Sequence, residues 1–454
     1  MEGLIVEQPV NQTSISKGAS SGSHESELDA LKKKLKILKA QKADVARQFR
    51  TAEPGSEVHS NLVEQMQAVS RELKSLEAHI KALRSEPRVM GDDQEKLPPF
   101  FLLADQSRYS GEFSIRELSE ADWPKWEAYV SASPRAPLYL QRRWSDLVRR
   151  SFGHPTRVWV GITPEGEILG GVPLTFFRSR LFGRFAVATP YVNYGGVLTP
   201  YWNVARALFE RLQTVAMQEN LSHIEVRSMQ PGLWPNSSEK KVSMVLPLPG
   251  TLEQLEDSLT AKVRAQSRKA EEHHPTIAFG GLDLLDDFYR VFARNMRDLG
   301  TPVYAKGWFA NVLSEPGLAA TLVVVKVRGR AVSAGFLLGH GPMLEIPWAS
   351  TIKPANALNT NMWMYRKILD YAVSEGYEFF DFGRSTRGAG TYHFKKQWGA
   401  KPYEHHWYYI TPDHSKPPEL NPDNPKFRLM IALWKRMPVW LSRLVGPPIV
   451  KHLP

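Results

Sequence analysis

Residues Glu378–Gly399 read EFFDFGRSTRGAGTYHFKKQWG. Phe379, Phe380 and Phe382 form a short apolar run that predicts a buried strand, interrupted by one acid, Asp381. The strand runs into Gly383-Arg384-Ser385-Thr386 and so delivers small and charged side chains to the rim of a sheet, where open α/β folds hold ligands. A basic loop, Arg387-Gly388-Ala389-Gly390, leads to Tyr392, Phe394, Lys395, Lys396 and Trp398. Cations beside aromatic rings at a strand end suit an anionic, partly apolar ligand. The same residues also fit a solvated loop entering an amphipathic strand.

Working outward, the strand Tyr377–Ser385 closes a series that occurs twice. Its copy begins with a strand at Thr321–Val327, turns at Arg328-Gly329-Arg330 and returns over Ala331–Gly339. A strand at Leu344–Ser350, a polar loop at Pro354–Asn361 and a helix at Met362–Ser374 follow. The earlier series is Val158–Ile162, a turn at Pro164–Glu167, then Ile168–Phe177. After these come a loop at Pro190–Pro200 containing Asn193 and Tyr194, a helix at Ala205–Gln218, and a strand at His223–Ser228. Both series finish in an Arg-Ser pair, Arg227-Ser228 and Arg384-Ser385, roughly 160 residues apart. The duplication predicts two similar α/β (α+β) domains, over 113–250 and 276–412, with a ligand cleft between them.

Residues 1–24 are rich in Ser, Gly and Gln and read as disordered. Over 25–85, leucines and other apolar residues recur at alternating spacings of three and four, with Pro54-Gly55 between two arms. That pattern predicts an antiparallel coiled-coil hairpin for self-association or a protein partner. Residues 86–112 read as a linker. Residues 251–275 read as a basic inter-domain helix on which Arg264 and Arg268 share a face, with Lys269 beside them, as a clamp for a phosphate or as a solvated basic face. Arg297 follows on the helix Asp286–Leu299, and Tyr304 lies just beyond it. The tail, 413–454, interleaves Lys and Arg with Trp and Leu and has no acid from Lys426 onward. It fits either an anionic bilayer surface or packing on the protein's own core.

With 454 residues, 42% hydrophobic content and a formal charge of +11, the chain is globular, basic and suited to a phosphate-bearing partner. The absence of cysteine excludes thiol nucleophiles, disulfides and Cys-based metal sites. The N-terminus lacks the pattern of a secretory signal, and no apolar run has the length of a membrane span; a cytoplasmic protein is expected. Gly388-Ala389-Gly390 has no third glycine for a dinucleotide fingerprint, and Gly383–Arg387 lacks the second glycine of a nucleophile elbow. The pairs His273-His274 and His405-His406 point apart in either regular structure, so no metal site is expected.

The run Asp381–Thr386, then Gly390-Thr391-Tyr392, then Phe394-Lys395-Lys396-Gln397-Trp398-Gly399-Ala400 resembles the closing motif of the FemAB-like acyltransferases. It is most similar to the branch associated with exosortase/PEP-CTERM and exopolysaccharide systems. Asn295–Pro302 and Lys262–Lys269 share the likeness, which spans roughly 113–410 and leaves out the hairpin. The resemblance implies tandem domains of the GNAT type. It also implies transfer of an acyl or aminoacyl group, in the better-known relatives from aminoacyl-tRNA to the peptide of a cell-wall precursor. By position, Lys395 matches the family lysine near a substrate phosphate, and Asp381 and Arg384 match the strand end beside it. No Arg/Gln-x-x-Gly-x-Gly loop for coenzyme A is present, so acyl-CoA and aminoacyl-tRNA both stay open as donors, and no permanently bound cofactor is expected.

The expected function is therefore an acyl- or aminoacyltransferase acting on a nucleotide- or lipid-linked cell-envelope or exopolysaccharide precursor. Catalysis falls to Asp381, Lys395 and Arg384. Substrate binding falls to Arg264, Arg268, Lys269, Tyr304, Arg297, Tyr194, Ser385, Tyr392 and Lys396. The partners are an anionic glycan or peptide precursor, tRNA only as donor, and a membrane surface met by Lys426–Pro454, which places the protein at the inner membrane face. The alternatives are a glycan-precursor binding module that recruits partners through its coiled coil, and a charge-driven nucleic-acid binder.

Overall fold

The computed structural model describes residues 21–52, 56–85, 107–180, 182–413, 415 and 425–453. It forms two compact units, Met1–Lys96 and Leu97–Pro454. Most of the segments expected to be disordered (1–24) and linking (86–112), and the Pro54-Gly55 turn, lie outside the described residues.

In the first unit, helices α1 (Ser21–Thr51) and α2 (Glu57–Ser85) pack on each other. α1 starts at Ser21, inside the stretch expected to be disordered. Leu38, Leu73 and Leu76 are buried with Leu31, Leu35 and Val69 around them, so apolar side chains from both helices meet. Lys34 Nζ reaches Glu72 at 3.0 Å across the pair.

The second unit holds two seven-stranded sheets. The first runs β1 (Ser114–Glu117), β2 (Thr156–Ile162), β3 (Ile168–Ser179), β4 (Gly183–Val187), β5 (Ile224–Ser228), β14 (His406–Ile410), β6 (Ser237–Ser238). The second runs β13 (Lys401–Glu404), β7 (Lys241–Pro247), β12 (Phe379–Thr386), β11 (Met343–Thr351), β10 (Arg330–His340), β9 (Ala319–Val327), β8 (Thr276–Gly280). The halves exchange strands: β7, which precedes residue 250, joins the second sheet against β12, and β14 crosses back to pair with β5. The expected boundaries at 250 and 276 therefore follow the duplication but not the pairing of strands.

Each sheet has a single parallel pair, and each is registered only briefly. β4 and β5 match at Ala186↔Ile224 and Val187↔Glu225. β11 and β12 match from Met343↔Phe379 to Glu345↔Asp381. Beyond those points the partners separate. In the first sheet the gap is filled by the loop before α5 (Trp202–Gln218), which bridges back through Gly195 and Arg227.

Strand alternation sorts the second sheet's side chains onto two faces. Val323, Leu344, Ile346, Phe380 and Phe382 pack with α10 (Thr360–Ser374) and Trp398. Leu322, Phe336, Met343 and Phe379 face a core shared with the first half, with α4 (Arg142–Phe152), α8 (Leu285–Leu299) and α9 (Lys306–Leu313). Glu345 and Asp381 have the parity of Met343 and Phe379, so two acids point into the junction between the halves. α3 (Trp123–Ala132) and α5 cover the first sheet.

The single helix expected over Leu252–His274 is broken into α6 (Leu252–Ser258) and α7 (Ala261–Arg268). Thr260 restarts the backbone by accepting the Val263 N–H, as an N-cap does. Residues after Ala389 fold as α11 (Gly390–Lys396), not as a strand. The tail forms α12 (Pro425–Arg436) and α13 (Val439–Val450), and both pack on α8. No described helix is long and apolar enough to cross a membrane.

Candidate active site

The junction of the halves is a connected polar network in an otherwise apolar interior. Asp381 and Glu345 are both fully buried and sit opposite one another on the parallel pair β11–β12. The loop before α5 presents two consecutive side chains to them: Asn193 Nδ2 donates to Glu345 at 3.1 Å and the Tyr194 hydroxyl donates to Asp381. Glu345 also accepts from the Tyr139 hydroxyl at 2.6 Å and lies 2.9 Å from His340 Nε2. Thr189 and Tyr191 hold the loop in left-handed backbone, a conformation unusual for their types, and Thr189 Oγ1 donates to the Tyr194 carbonyl at 2.9 Å.

A hydrogen-bond chain of one polarity ends at Asp381. Trp407 Nε1 donates to His405 Nδ1 at 3.4 Å, which leaves the proton of the neutral imidazole on Nε2. Burial, then Arg384 and Arg227, hold the His405 pKa down near 3, so it is neutral in the working range. Nε2 then donates to Ser243 Oγ at 2.8 Å, Ser243 donates to the Tyr194 hydroxyl oxygen at 2.7 Å, and Tyr194 donates to Asp381. Tyr194 also lines a narrow cavity of about 60 Å³ with Arg135, Thr199, Arg227, Ser228 and Gln230.

Gly383 sets the geometry. Its φ is +78°, in the left-handed region that favours glycine, and the register of β12 against β7 slips between Asp381 and Arg384. In the first sheet, without this extra residue, Arg227 Nε donates to Glu225 at 2.7 Å, two positions away on the same face. The bulge breaks that spacing in the second sheet. Asp381 accepts instead the Gly383 N–H at 2.8 Å, and Arg384 turns to the Trp407 indole. Arg227 lies over the same ring at 4.6 Å and Arg384 at 4.7 Å, so the two duplicated Arg-Ser motifs converge on one tryptophan.

Burial, and then the charge of Glu345, push Asp381 up to about 7, against the lowering effects of Tyr194, Gly383 and Lys395. Burial pulls Lys395 down to about 8, partly offset by Asp381. Desolvation and the neighbouring Arg227 bring Arg384 to about 10. Burial and the two carboxylates keep the Tyr194 and Tyr139 hydroxyls protonated.

Asp381, Tyr194, Arg384 and Lys395 meet here. Lys395, however, donates to the backbone carbonyls of Gly383 at 2.8 Å and Arg384 at 2.9 Å, so it pins the bulge. Ser385 is buried with no hydrogen-bond partner for Oγ. Tyr304 packs edge-on to Tyr191 and Trp348; burial raises it to about 12 while Arg227 and Arg384 act in the opposite direction.

Other expected binding residues have different occupations. Arg264 donates to the carbonyls of Leu259 and Glu256, Arg268 binds the Glu256 carboxylate at 2.7 Å, and Arg366 binds it at 2.6 Å. Glu256 thus pairs with cations expected to hold a phosphate. Arg297 donates to the Met437 carbonyl at 2.9 Å and anchors the C-terminal helices. Tyr392, on α11, and Trp398, two residues past its end, belong to the core beneath the sheet. Lys269 and Lys396 are exposed.

Tyr139, Ser243, His340 and Glu345 escaped sequence reasoning. Glu345 had a signal: an acid between Leu344 and Ile346 in an otherwise apolar strand. Among the described residues no cluster of His, Asp and Glu could hold a metal.

Residues 258–396 match the family described as Acetyltransferase (GNAT) domain. The match lies in the second half, whose order of elements the first half repeats. Among curated proteins none matches significantly. Similar solved structures include FemX, at 15% identity and a TM-score of 0.49 over 70% of this chain and 100% of that one. Another is the C-terminal domain of a putative lysylphosphatidylglycerol synthetase from Agrobacterium fabrum, at 12% and 0.45, covering 64% and 93%. A tandem GNAT protein of the clavulanic acid pathway aligns at 10% and 0.43, covering 66% and 98%.

Proposed function

We propose that this chain is an acyl- or aminoacyltransferase in which an acceptor amine or hydroxyl meets Tyr194 and loses its proton toward Asp381. The observation that carries the reading is the buried hydrogen bond from Tyr194, a residue that lines a cavity, to Asp381, whose carboxyl is pushed up to about 7 by burial. The GNAT match over residues 258–396 supports the reaction class.

The Tyr194 hydroxyl is linked to Ser243 and donates to Asp381, so an acceptor's N–H or O–H brought to its oxygen has a path to the carboxylate. As that nucleophile attacks the acyl carbonyl carbon, its proton moves to the Tyr194 oxygen and the Tyr194 proton moves to Asp381. The new C–N or C–O bond forms, the bond to the ester or thioester leaving group breaks, and the leaving group takes up a proton from solvent. Proton removal by a group titrating near working pH is worth typically 10²–10⁴-fold. Lys395 and Gly383 hold the bulge beside Asp381 in place, and Arg384 presents positive charge for an anionic substrate. The acceptor in this reading is a nucleotide- or lipid-linked envelope or exopolysaccharide precursor, as in the FemAB-like branch that the motif resembles, and the donor is acyl-CoA or aminoacyl-tRNA.

A glycan-precursor binding module is the second reading, favoured by one observation: Lys395 and Asp381 are already satisfied by groups of the protein. Purified protein incubated with host precursor extract, with either an acyl-CoA mixture or charged tRNA, separates the two. Transfer of mass to a precursor supports the enzyme and shows which donor is used; retention of an unmodified precursor supports the module.

A further inference from the structure

The C-terminal helix pair is held to the body on one face and bare on the other. On α13, Ser442, Gly446 and Val450 are buried at spacings of four, and the ideal Cβ of Gly446 would lie 2.9 Å from the Val303 backbone. Two residues before Ser442 and two after it, about 200° round the helix, Trp440 and Leu444 are each 67% exposed. On α12, Ile431 sits against Gly300 while Met430 is 62% and Leu433 59% exposed. Four of the large exposed apolar side chains among the described residues therefore fall on this pair.

Several anchors fix the inner face. Arg297 donates to the Met437 carbonyl, Arg443 lies 5.1 Å over the Tyr289 ring, and the Lys451 carbonyl accepts from Tyr191 and lies 2.7 Å from His154 Nε2. The outward apolar side chains are accordingly held by docked helices. The same segment carries Lys435, Arg436, Arg443 and Lys451, and residues 425–454 contain no acid. Lys451 and His452 also line a cavity of about 310 Å³ with Arg178, Arg184 and Arg157, of which Arg157 and Arg184 pair with Glu219 in the same lining.

The geometry points to this face as a docking surface for an anionic lipid bilayer, with Trp440, Leu444, Met430 and Leu433 entering the headgroup–acyl boundary. A tryptophan with aliphatic neighbours, on a segment that carries Lys and Arg and no acid, matches a negatively charged membrane surface, and neither helix has the length or hydropathy to cross it. The surface stands apart from the transferase reading: it rests on exposure and charge in the tail and not on the Asp381 network. It adds that an acceptor carried by a lipid would be met where α13 packs against Val303, one residue from Tyr304.

The test is sedimentation of the full chain with vesicles of phosphatidylethanolamine and phosphatidylglycerol, compared with phosphatidylcholine alone. Binding should require the anionic lipid. The double variant Trp440→Ser, Leu444→Ser should weaken it about tenfold or more, as expected from exposing side chains otherwise buried in lipid. Lys435→Glu, Arg436→Glu should weaken it at least about tenfold, given roughly 1 kcal/mol per cation. Brominated lipids should quench fluorescence in the wild-type protein, with that quenching reduced in Trp440→Phe. Equal binding of the wild-type and double-serine proteins, or no anionic vesicle binding at all, overturns the proposal. So does concentration-dependent dimerisation abolished by the double variant, which would make a second copy the occupant.

Discussion

Tyr194, on the loop of the first half, donates its hydroxyl hydrogen to Asp381 on β12 of the second half, so neither half contains the network by itself. The strand exchange of β7 and β14 makes this arrangement possible: Ser243 comes to the second sheet on β7, and His405 precedes the strand that returns to the first. A proton-accepting group built this way depends on the halves staying in register.

Removing either end of the bond should therefore abolish chemistry while sparing the fold. Tyr194→Phe and Asp381→Asn are each expected to lower kcat by about 100-fold or more. KM should change much less, as measured by initial rates of acyl transfer, and far-ultraviolet circular dichroism should stay unchanged.

The raised pKa of Asp381 has a definite sign in stability. The folded state holds its proton up to about pH 7, whereas the unfolded chain releases it near the ordinary carboxylate value of 3.8. The stabilisation from this group is complete below about 4 and is lost as pH rises to about 7. Urea melts between pH 4 and 8 should show wild-type stability falling relative to Asp381→Asn over that window, and remaining level above it.

Glu345 is a cause of that shift, through like charge across the parallel pair. Glu345→Gln should lower the Asp381 pKa. The rising limb of kcat against pH should then move toward acid.

Gly383 is the residue by which the second Arg-Ser motif differs in spacing from the first. Gly383→Ala places a Cβ at φ +78° and is expected to cost about 1–2 kcal/mol, read as a lower urea midpoint. It should also reduce turnover, because the same residue supplies the N–H that Asp381 accepts.

The arginines divide into two groups. Arg268→Ala should leave kcat/KM within about twofold, because its partner is Glu256, whereas Arg384→Ala should lower it by about tenfold or more through loss of anion binding. Measuring both variants with the same substrate checks the assignment.

Much of this architecture was legible because the chain repeats itself. The order of hairpin, strand, loop, helix and strand, and the paired Arg-Ser ends, could be read from periodicity and turn residues. The strand exchange could not, since β7 and β14 carry ordinary apolar alternation and nothing local states which sheet they join. Asp381, Arg384 and Tyr194 stood out as polar groups at strand ends and in a loop. Glu345 and Ser243 lie inside apolar strands, where only burial reveals that a polar side chain must have partners. The basic residues of α7 show a related limit. A cation read along one helix face shows no trace of Glu256, the acid folded onto it from the preceding helix.

The central claim is tested most directly by mass spectrometry of host precursor extract incubated with purified wild-type or Asp381→Asn protein, supplied with acyl-CoA or charged tRNA. The account predicts that a glycan or peptide precursor gains an acyl or aminoacyl mass with the wild type, at least about 100-fold faster than with the variant. Equal rates for the two proteins, or a precursor that binds both and is never modified, would contradict it.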